Sequence, residues 1–337
     1  MTDSPTLSEW KALYEAAIAF RKLAPWEWMY NDDLFAVVNP ETGVTGYCVV
    51  MGALGEYFGL GVYRGEAGWR SLQAMRNENS GEETLYGQHA LIASFESSQD
   101  VEKRDREVIK QLGLHFRGKT AWPLFRSYVP GYVPWYLTSE EARFLTVALE
   151  QAADVAKRVR DDRDLLNPRD PGTVFTRRQS PDGSWEDAWT SLPELAEDGP
   201  ELPPVDLSEV AVRGIMRQAR KMGSWEVDVA YAPFVVAEGE RPMFPKLLLC
   251  VDRDSGMILQ IHVAHPDGYA QECADKLLET METLKVYPKA FVVKREETRL
   301  LLKPIAEAMR VAVHRAASLP ALEEARHALD EGLMRRG

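Results

Sequence analysis

Three runs in the second half of the chain decide how it folds: Trp225-Glu226-Val227-Asp228-Val229-Ala230-Tyr231, Lys246-Leu247-Leu248-Leu249-Cys250-Val251 and Met257-Ile258-Leu259-Gln260-Ile261-His262-Val263. Aliphatic, β-branched and aromatic residues dominate them, which is strand chemistry. In the first run Asp228 alternates with Val227 and Val229, so its side chain points away from one packed face. The last two runs are joined by Asp252-Arg253-Asp254-Ser255-Gly256, the chemistry of a tight turn, and the three read as strands of one antiparallel set. Downstream, Ala270, Ala274, Leu277, Leu278 and Met281 recur at helical spacing, and residues 290–293 read as a strand. Leu301, Ile305 and Met309 mark a further helix that Pro304 is expected to kink; residues 310–313 read as a short strand, and a last helix begins near Ser318-Leu319-Pro320.

The first half repeats this order. Thr6-x-x-Glu9 is a capping-box pattern that opens a helix with Trp10, Leu13, Tyr14, Ala17 and Ile18 on one stripe. Strand-like runs follow at 34–38, 46–51 and 57–63, then a helix over 66–76, a strand over 89–95, a helix over 101–112 and an extended stretch over 122–128. Thr138-x-x-Glu141 opens a long helix carrying Phe144, Leu145, Ala148, Leu149, Ala152 and Val155. Seven of the twenty prolines lie between Asp164 and Asp206, around a hairpin that pairs 174–177 with 185–189 across Ser180-Pro181-Asp182-Gly183. The expected organisation is therefore α+β in two domains: an aromatic-rich one over 1–160, a Pro-rich linker with a hairpin over 161–205, and a second domain over 206–337. Both domains are expected to hold a mixed sheet of helix-βββ-α-β-α-β order, an expectation drawn from element order alone because no residue-level repeat accompanies it.

Composition bounds the function. The 337 residues are 45% hydrophobic and 27% charged, ordinary for a globular protein large enough for two cores. No apolar run approaches the roughly 20 residues of a membrane span, and the polar first ten residues do not read as a secretory signal, so the expected compartment is the cytoplasm. Cys48, Cys250 and Cys273 are far apart in apolar settings, which suits reduced thiols. A formal charge of −12 disfavours nucleic acid as a partner.

Three antiparallel strands followed by strands reached through helical crossovers resemble the ribonuclease H-like order. Nucleases and integrases of that fold carry carboxylates on the first strand, at the end of the fourth and on a later helix, where they hold two Mg²⁺ ions. Asp228 fits the first position, but Lys294 and Arg295 stand at the end of the fourth strand, with Glu296 and Glu297 displaced into the next turn. Glu324 or Asp330 could serve as the third acid. The expectation is a degenerate, non-catalytic sheet in a binding or interaction protein; the competing reading is a Mg²⁺-dependent nuclease using Asp228, Glu296 and Asp330. The runs Trp122-Pro123-Leu124-Phe125-Arg126-Ser127-Tyr128-Val129-Pro130-Gly131-Tyr132-Val133-Pro134-Trp135, Pro25-Trp26-Glu27-Trp28-Met29 and Gly46-Tyr47-Cys48-Val49-Val50-Met51-Gly52 resemble a bacterial family of paired domains of unknown function, DUF7309 followed by DUF6930. The resemblance implies no reaction and no cofactor.

Candidate binding residues fall in two groups. Tyr132, Trp135 and Tyr136, held extended by Pro130 and Pro134, could line a groove for a peptide or a ring-bearing ligand, although most of the aromatic residues of this half are expected in the core. Arg213 and Arg217 on one helix, with Lys294 and Arg295 after the fourth strand, would form an anion site if they met across the sheet; a solvated helix face is the plainer reading. His262 and His265, three apart, face opposite ways on a strand, so with Cys250 and Cys273 they predict no metal site. Gly59-x-Gly61-x-x-x-Gly65 misses dinucleotide spacing and is read as turn glycines. A protein, a peptide or an anionic ligand remain as partner classes.

Overall fold

The computed structural model describes residues 4–77, 82–194, 202 and 204–334, with side chains described except at 82–83 and 329–334. The chain divides into two compact units, Met1–Glu194 and Leu195–Gly337. Among the described residues no helix is long and apolar enough to cross a membrane.

The first unit runs α1 (Leu7–Leu23), β1 (Phe35–Val38), β2 (Thr45–Met51), β3 (Gly59–Arg64), α2 (Gly65–Arg76), β4 (Ala90–Glu96), α3 (Lys103–Gln111), β5 (Trp122–Tyr128), α4 (Ser139–Asp161), β6 (Thr173–Gln179) and β7 (Trp185–Ser191). Both expected capping boxes form: Thr6 and Glu9 exchange bonds at the start of α1, and Thr138 and Glu141 do so at α4. The strands make one sheet of order β5-β4-β3-β2-β1-β6-β7, antiparallel throughout except where β6 runs parallel to β1. Helices α1 and α4 lie on one face, where Leu13, Tyr14, Phe20, Leu145 and Leu149 meet Phe35, Cys48, Val62 and Leu91 in a closed core. Each fully buried large apolar side chain there contributes about 1.5–3 kcal/mol. Helix α2 packs on the other face, with the Trp69 ring 5.0 Å from that of Tyr47. Its approach is close enough to demand glycine: a Cβ on Gly68 would lie 2.4 Å from the Tyr63 carbonyl carbon.

One expectation is corrected by this sheet. The hairpin placed in a linker is β6–β7, and it extends the sheet, because Phe35, Ala36 and Val37 of β1 offer their free edge to Phe175, Thr176 and Arg177. The first unit does have the expected element order through β5, but unlike the second unit it keeps each of β2 to β5 antiparallel beside its predecessor, even where a helix intervenes.

The second unit runs α5 (Glu209–Gln218), β8 (Arg220–Lys221), β9 (Ser224–Tyr231), β10 (Lys246–Asp252), β11 (Ile258–Ala264), α6 (Tyr269–Leu284), β12 (Val286–Tyr287), β13 (Ala290–Val293), α7 (Glu296–Met309), β14 (Ala312–Arg315) and α8 (Pro320–Met334). Its main sheet has the order β11-β10-β9-β13-β14. Strand β10 is antiparallel to both neighbours, while β13 is parallel to β9 and to β14. The short β8 and β12 pair in parallel beside it. Trp225, Val227 and Val229 of β9 pack with α5, α6 and α7 on one face; Leu249, Val251 and Val292 meet Leu319, Leu322 and Ala325 of the α8 region on the other. Helix α7 runs through Pro304.

The packing of α1 on α4 carries a pH-sensitive tie. Burial raises the Glu9 carboxyl, but the Thr6 backbone N–H, Arg143, and the Thr6 and Ser139 hydroxyls bond its charged form and hold it at about 2. Arg143 Nη1 reaches Glu9 Oε1 at 2.6 Å and also grips Glu41. A carboxyl lowered on folding contributes stability that is full above its unfolded value of about 4.3 and is lost as pH falls toward about 2. Glu9→Gln should therefore lower the urea midpoint at neutral pH and flatten its fall between about pH 5 and about pH 2; an acid dependence identical to that of the wild type would remove Glu9 from the account.

Candidate functional site

The second unit buries two carboxylates on one face of its central strand. Because side chains alternate along β9, the residues between Trp225, Val227 and Val229 turn toward α8, and these are Glu226 and Asp228, only 1% and 4% exposed. A buried carboxylate is tolerated only when it is bonded and neutralised. Glu226 Oε2 accepts from the Leu322 backbone N–H in the first turn of α8 at 2.9 Å, and its Oε1 lies 3.4 Å from Arg253 Nε. Asp228 is held by two guanidinium groups. Arg295 Nε donates to Oδ1 and Arg326 Nη2 donates to Oδ2, each at 2.9 Å. Arg295 is the residue at which α7 starts, and Arg326 stands on α8. Beneath them the fully buried Thr298 hydroxyl accepts from the Val229 backbone N–H at 3.1 Å and lies 3.5 Å from Asp228 Oδ1.

A second polar cluster surrounds Lys246, which is 4% exposed. Its Nζ lies 2.7 Å from Glu297 Oε1, 3.7 Å from the centre of the Tyr231 ring and 5.0 Å from that of Tyr269. Tyr269 donates its hydroxyl to the same Glu297 oxygen, and burial together with that carboxylate pushes its phenol well above the usual range. Glu296 faces other partners: Arg299 at 2.5 Å and Arg315 at 3.7 Å. The Arg299 bond is the main reason its carboxyl is lowered.

In the first unit, Ser127 and Trp135 form an isolated antiparallel bridge that fixes the extended segment, and the Tyr132, Trp135 and Tyr136 rings are half-buried. The Tyr136 hydroxyl donates to Glu102, while the guanidinium carbons of Arg104 and Arg126 lie 4.3 and 4.8 Å from its ring centre. Arg126 is in turn gripped by Asp105 through two bonds of 3.0 and 2.8 Å. Burial and the Glu102 contact push the Tyr136 phenol up to about 12.

Residues 10–177 match the family model described as domain of unknown function DUF7309, and residues 211–330 match that of DUF6930. The chain is a paired DUF7309–DUF6930 protein. No curated protein sequence matches it.

Set on this geometry, the residues singled out in the sequence separate. Within the DUF6930 unit, Asp228 and Arg295 come together as an ion pair, whereas Glu296 is engaged by Arg299 and Arg315, and the side chain of Asp330 lies outside the described residues. Arg213 and Arg217 lie on α5, which packs on the α6–α7 face, while Arg295 bonds Asp228 on the α8 face. Arg213 pairs with Glu209 one turn back at 2.6 Å, and Arg217 and Lys294 are exposed. His262 faces Glu272 at 3.3 Å, and His265 Nδ1 accepts from the Asp267 N–H. Among the described residues no group of three His, Cys, Asp or Glu side chains converges to hold a metal. Sequence reasoning missed Arg326 and Thr298; an arginine four residues after Leu322 on an amphipathic helix carries no local mark of a buried partner.

Removing Asp228 would leave two guanidinium groups facing each other above the Thr298 hydroxyl. Asp228→Ala should cost about 1.5–3 kcal/mol of unfolding free energy in the DUF6930 unit, because the two arginines are partly solvated. Arg326→Met should cost less, since Arg295 still neutralises the carboxylate. Denaturant titration of both variants checks the order, and an Asp228→Ala chain as stable as the wild type would show that the pair holds nothing together.

Proposed function

We propose that the second unit is a ribonuclease H-like sheet without metal chemistry, and that the chain is a non-catalytic binding protein. The strand order β11-β10-β9-β13-β14, with only β10 reversed, supports the first part. One observation carries the second: both oxygens of Asp228 are taken by guanidinium groups from the fourth strand's end and the last helix, the two places where a metal-dependent nuclease needs acids. The residues present therefore do not fit a pair of divalent cations. A carboxylate between two arginines has no net negative charge to offer, and a dication brought within about 4 Å of a guanidinium would meet several kcal/mol of repulsion even at an effective dielectric near 20. The nuclease reading would need Asp228 and Glu296 both released from arginines that now hold them.

The binding surface in this reading is the half-buried cluster of Tyr132, Trp135 and Tyr136 on the extended segment. The first domain extends through β7, and a cytoplasmic setting is supported by three buried free thiols.

Metal addition separates the readings. Mn²⁺ at millimolar concentration should leave the thermal midpoint of the wild-type protein unchanged, and no RNA or DNA should be cut. The double variant Arg295→Asp, Arg326→Glu should gain a Mn²⁺-dependent rise of about 4–8 °C once the ion is well above its dissociation constant. Metal-dependent cleavage by the wild type that disappears in Asp228→Asn would overturn the non-catalytic reading.

A further inference from the structure

The first unit contains a cavity of about 340 Å³ that the argument for the DUF6930 sheet does not touch. Its wall is built where several elements end: Asn39, Thr42 and Val44 from the β1–β2 turn, Arg64 at the end of β3, Gly65, Glu66 and Ala67 at the start of α2, His89 just before β4, and Glu140, Glu141 and Phe144 in the first turns of α4. The volume suits a small organic molecule. Gly65 takes a left-handed φ of 60°, and Gly68 lets α2 sit directly on β3, so the cavity's shape is set by backbone.

Among the described residues two buried side-chain polar atoms lack a hydrogen-bond partner, Arg64 Nε and His89 Nδ1, and both belong to this one wall. A buried donor or acceptor left unmade costs about 1–3 kcal/mol, so two in the same place mark a site that is completed by something else. Their chemistry says what would complete it. Arg64 Nε–H asks for an acceptor. Burial, then the charge of Arg64, lowers the His89 imidazole below its usual range, which keeps the ring neutral near pH 7. A neutral imidazole carries one donor and one acceptor nitrogen, so the unpartnered Nδ1 calls for a hydrogen-bonding group.

Charge narrows the class further. The wall holds three carboxylates, Glu66, Glu140 and Glu141, against the single guanidinium of Arg64. That guanidinium is already paired with Glu141 at 2.9 Å, and Glu141 also accepts from the Ser127 hydroxyl at 2.8 Å. Glu66 pairs with Arg70 one turn along α2, while Glu140 stands exposed at the rim. With Glu141 and Glu66 compensated by Arg64 and Arg70, the charge left to act on a ligand is that of Glu140, which favours a cation over an anion. Val44, Ala67 and Phe144 supply an apolar surface for the body of the ligand.

We propose that this cavity binds a small organic cation, an amine whose apolar body carries a hydroxyl or carbonyl oxygen. The ammonium group faces Glu140 and Glu66, an N–H or O–H of the ligand reaches His89 Nδ1, and its oxygen accepts from Arg64 Nε–H. Both protein atoms are shielded from water in the free chain, so the imidazole and guanidinium turn about their side-chain torsions to meet the ligand.

Isothermal titration of the full chain with three matched probes tests it: phenylalaninol as the cation, phenylpropanediol as the neutral analogue and phenyllactate as the anion. Phenylalaninol should bind best and phenyllactate least. Glu140→Gln should weaken phenylalaninol about fivefold, as loss of one exposed charge interaction does. Val44→Trp, at a position 41% exposed, should fill the cavity and abolish binding while leaving the circular dichroism spectrum unchanged. If that variant fails to fold, the Glu140→Gln comparison decides alone. Equal binding of the three probes, no heat from phenylalaninol at millimolar concentration, or undiminished binding by Glu140→Gln would each overturn the proposal.

Discussion

A carboxylate taken out of water on the central strand of a sheet must be neutralised, and the arrangement around Asp228 follows from that requirement. Its partners arrive from two directions: Arg295 from the junction of β13 and α7, Arg326 from α8. Meeting the requirement therefore brings together three segments separated by 67 and 98 positions in the chain. Glu226, two residues earlier on the same face, takes the Leu322 backbone N–H and sets where α8 begins. The pair of acids thus docks α8 by direction, while Leu319, Leu322 and Ala325 supply the apolar contact. Such buried pairs add little net stability over apolar replacements, and their clearest effect here is to choose one position for a helix that hydrophobic packing alone would hold less definitely.

The same constraint sets the electrostatics of that face. An aspartate surrounded by other acids concentrates negative charge and draws cations; an aspartate between two guanidinium groups does neither. Lys246 shows a related solution on the same sheet, where a buried ammonium is compensated by Glu297 and by the faces of two tyrosines. In both clusters every charge has a counter-charge within bonding reach, which is the pattern of a locked structure. The cavity beside Arg64 and His89 in the first unit departs from it, and the departure is what marks it as a place for a ligand.

Local chemistry was legible in the sequence, and distant pairing was not. The capping boxes at Thr6 and Thr138 announced α1 and α4 because a cap is written within four residues. The cations Lys294 and Arg295 were legible after the strand over 290–293, and Arg295 bonds Asp228. Arg326 was invisible because its partner lies on another element, and His89 and Arg64 because an unmet hydrogen bond has no sequence pattern. The β6–β7 hairpin was recognised from Ser180-Pro181-Asp182-Gly183, yet its membership in the sheet depends on Phe35 meeting Phe175, a pairing across the whole first unit. Proline density around it pointed to a linker because prolines mark ends of elements as readily as ends of domains.

One order of elements therefore supports two topologies, and crossover length explains how. In the second unit the 16 residues of α6 span about 24 Å, enough to pass from β11 over β10 and β9 to β13, three strand spacings or about 14 Å away. The first unit keeps β1 to β5 in sequence and delays its one long crossover until α4, whose 23 residues span about 35 Å. That helix covers β4, β3 and β2 and delivers β6 to the far side of β1, five spacings or about 24 Å from β5. The DUF7309 match ends at residue 177, inside β6, as expected if the unit is incomplete until that strand arrives. Without β6, the edge of β1 would carry unpaired backbone groups beside a buried Phe35, so the hairpin is the closing part of the first sheet, and α4 is long because it must reach it.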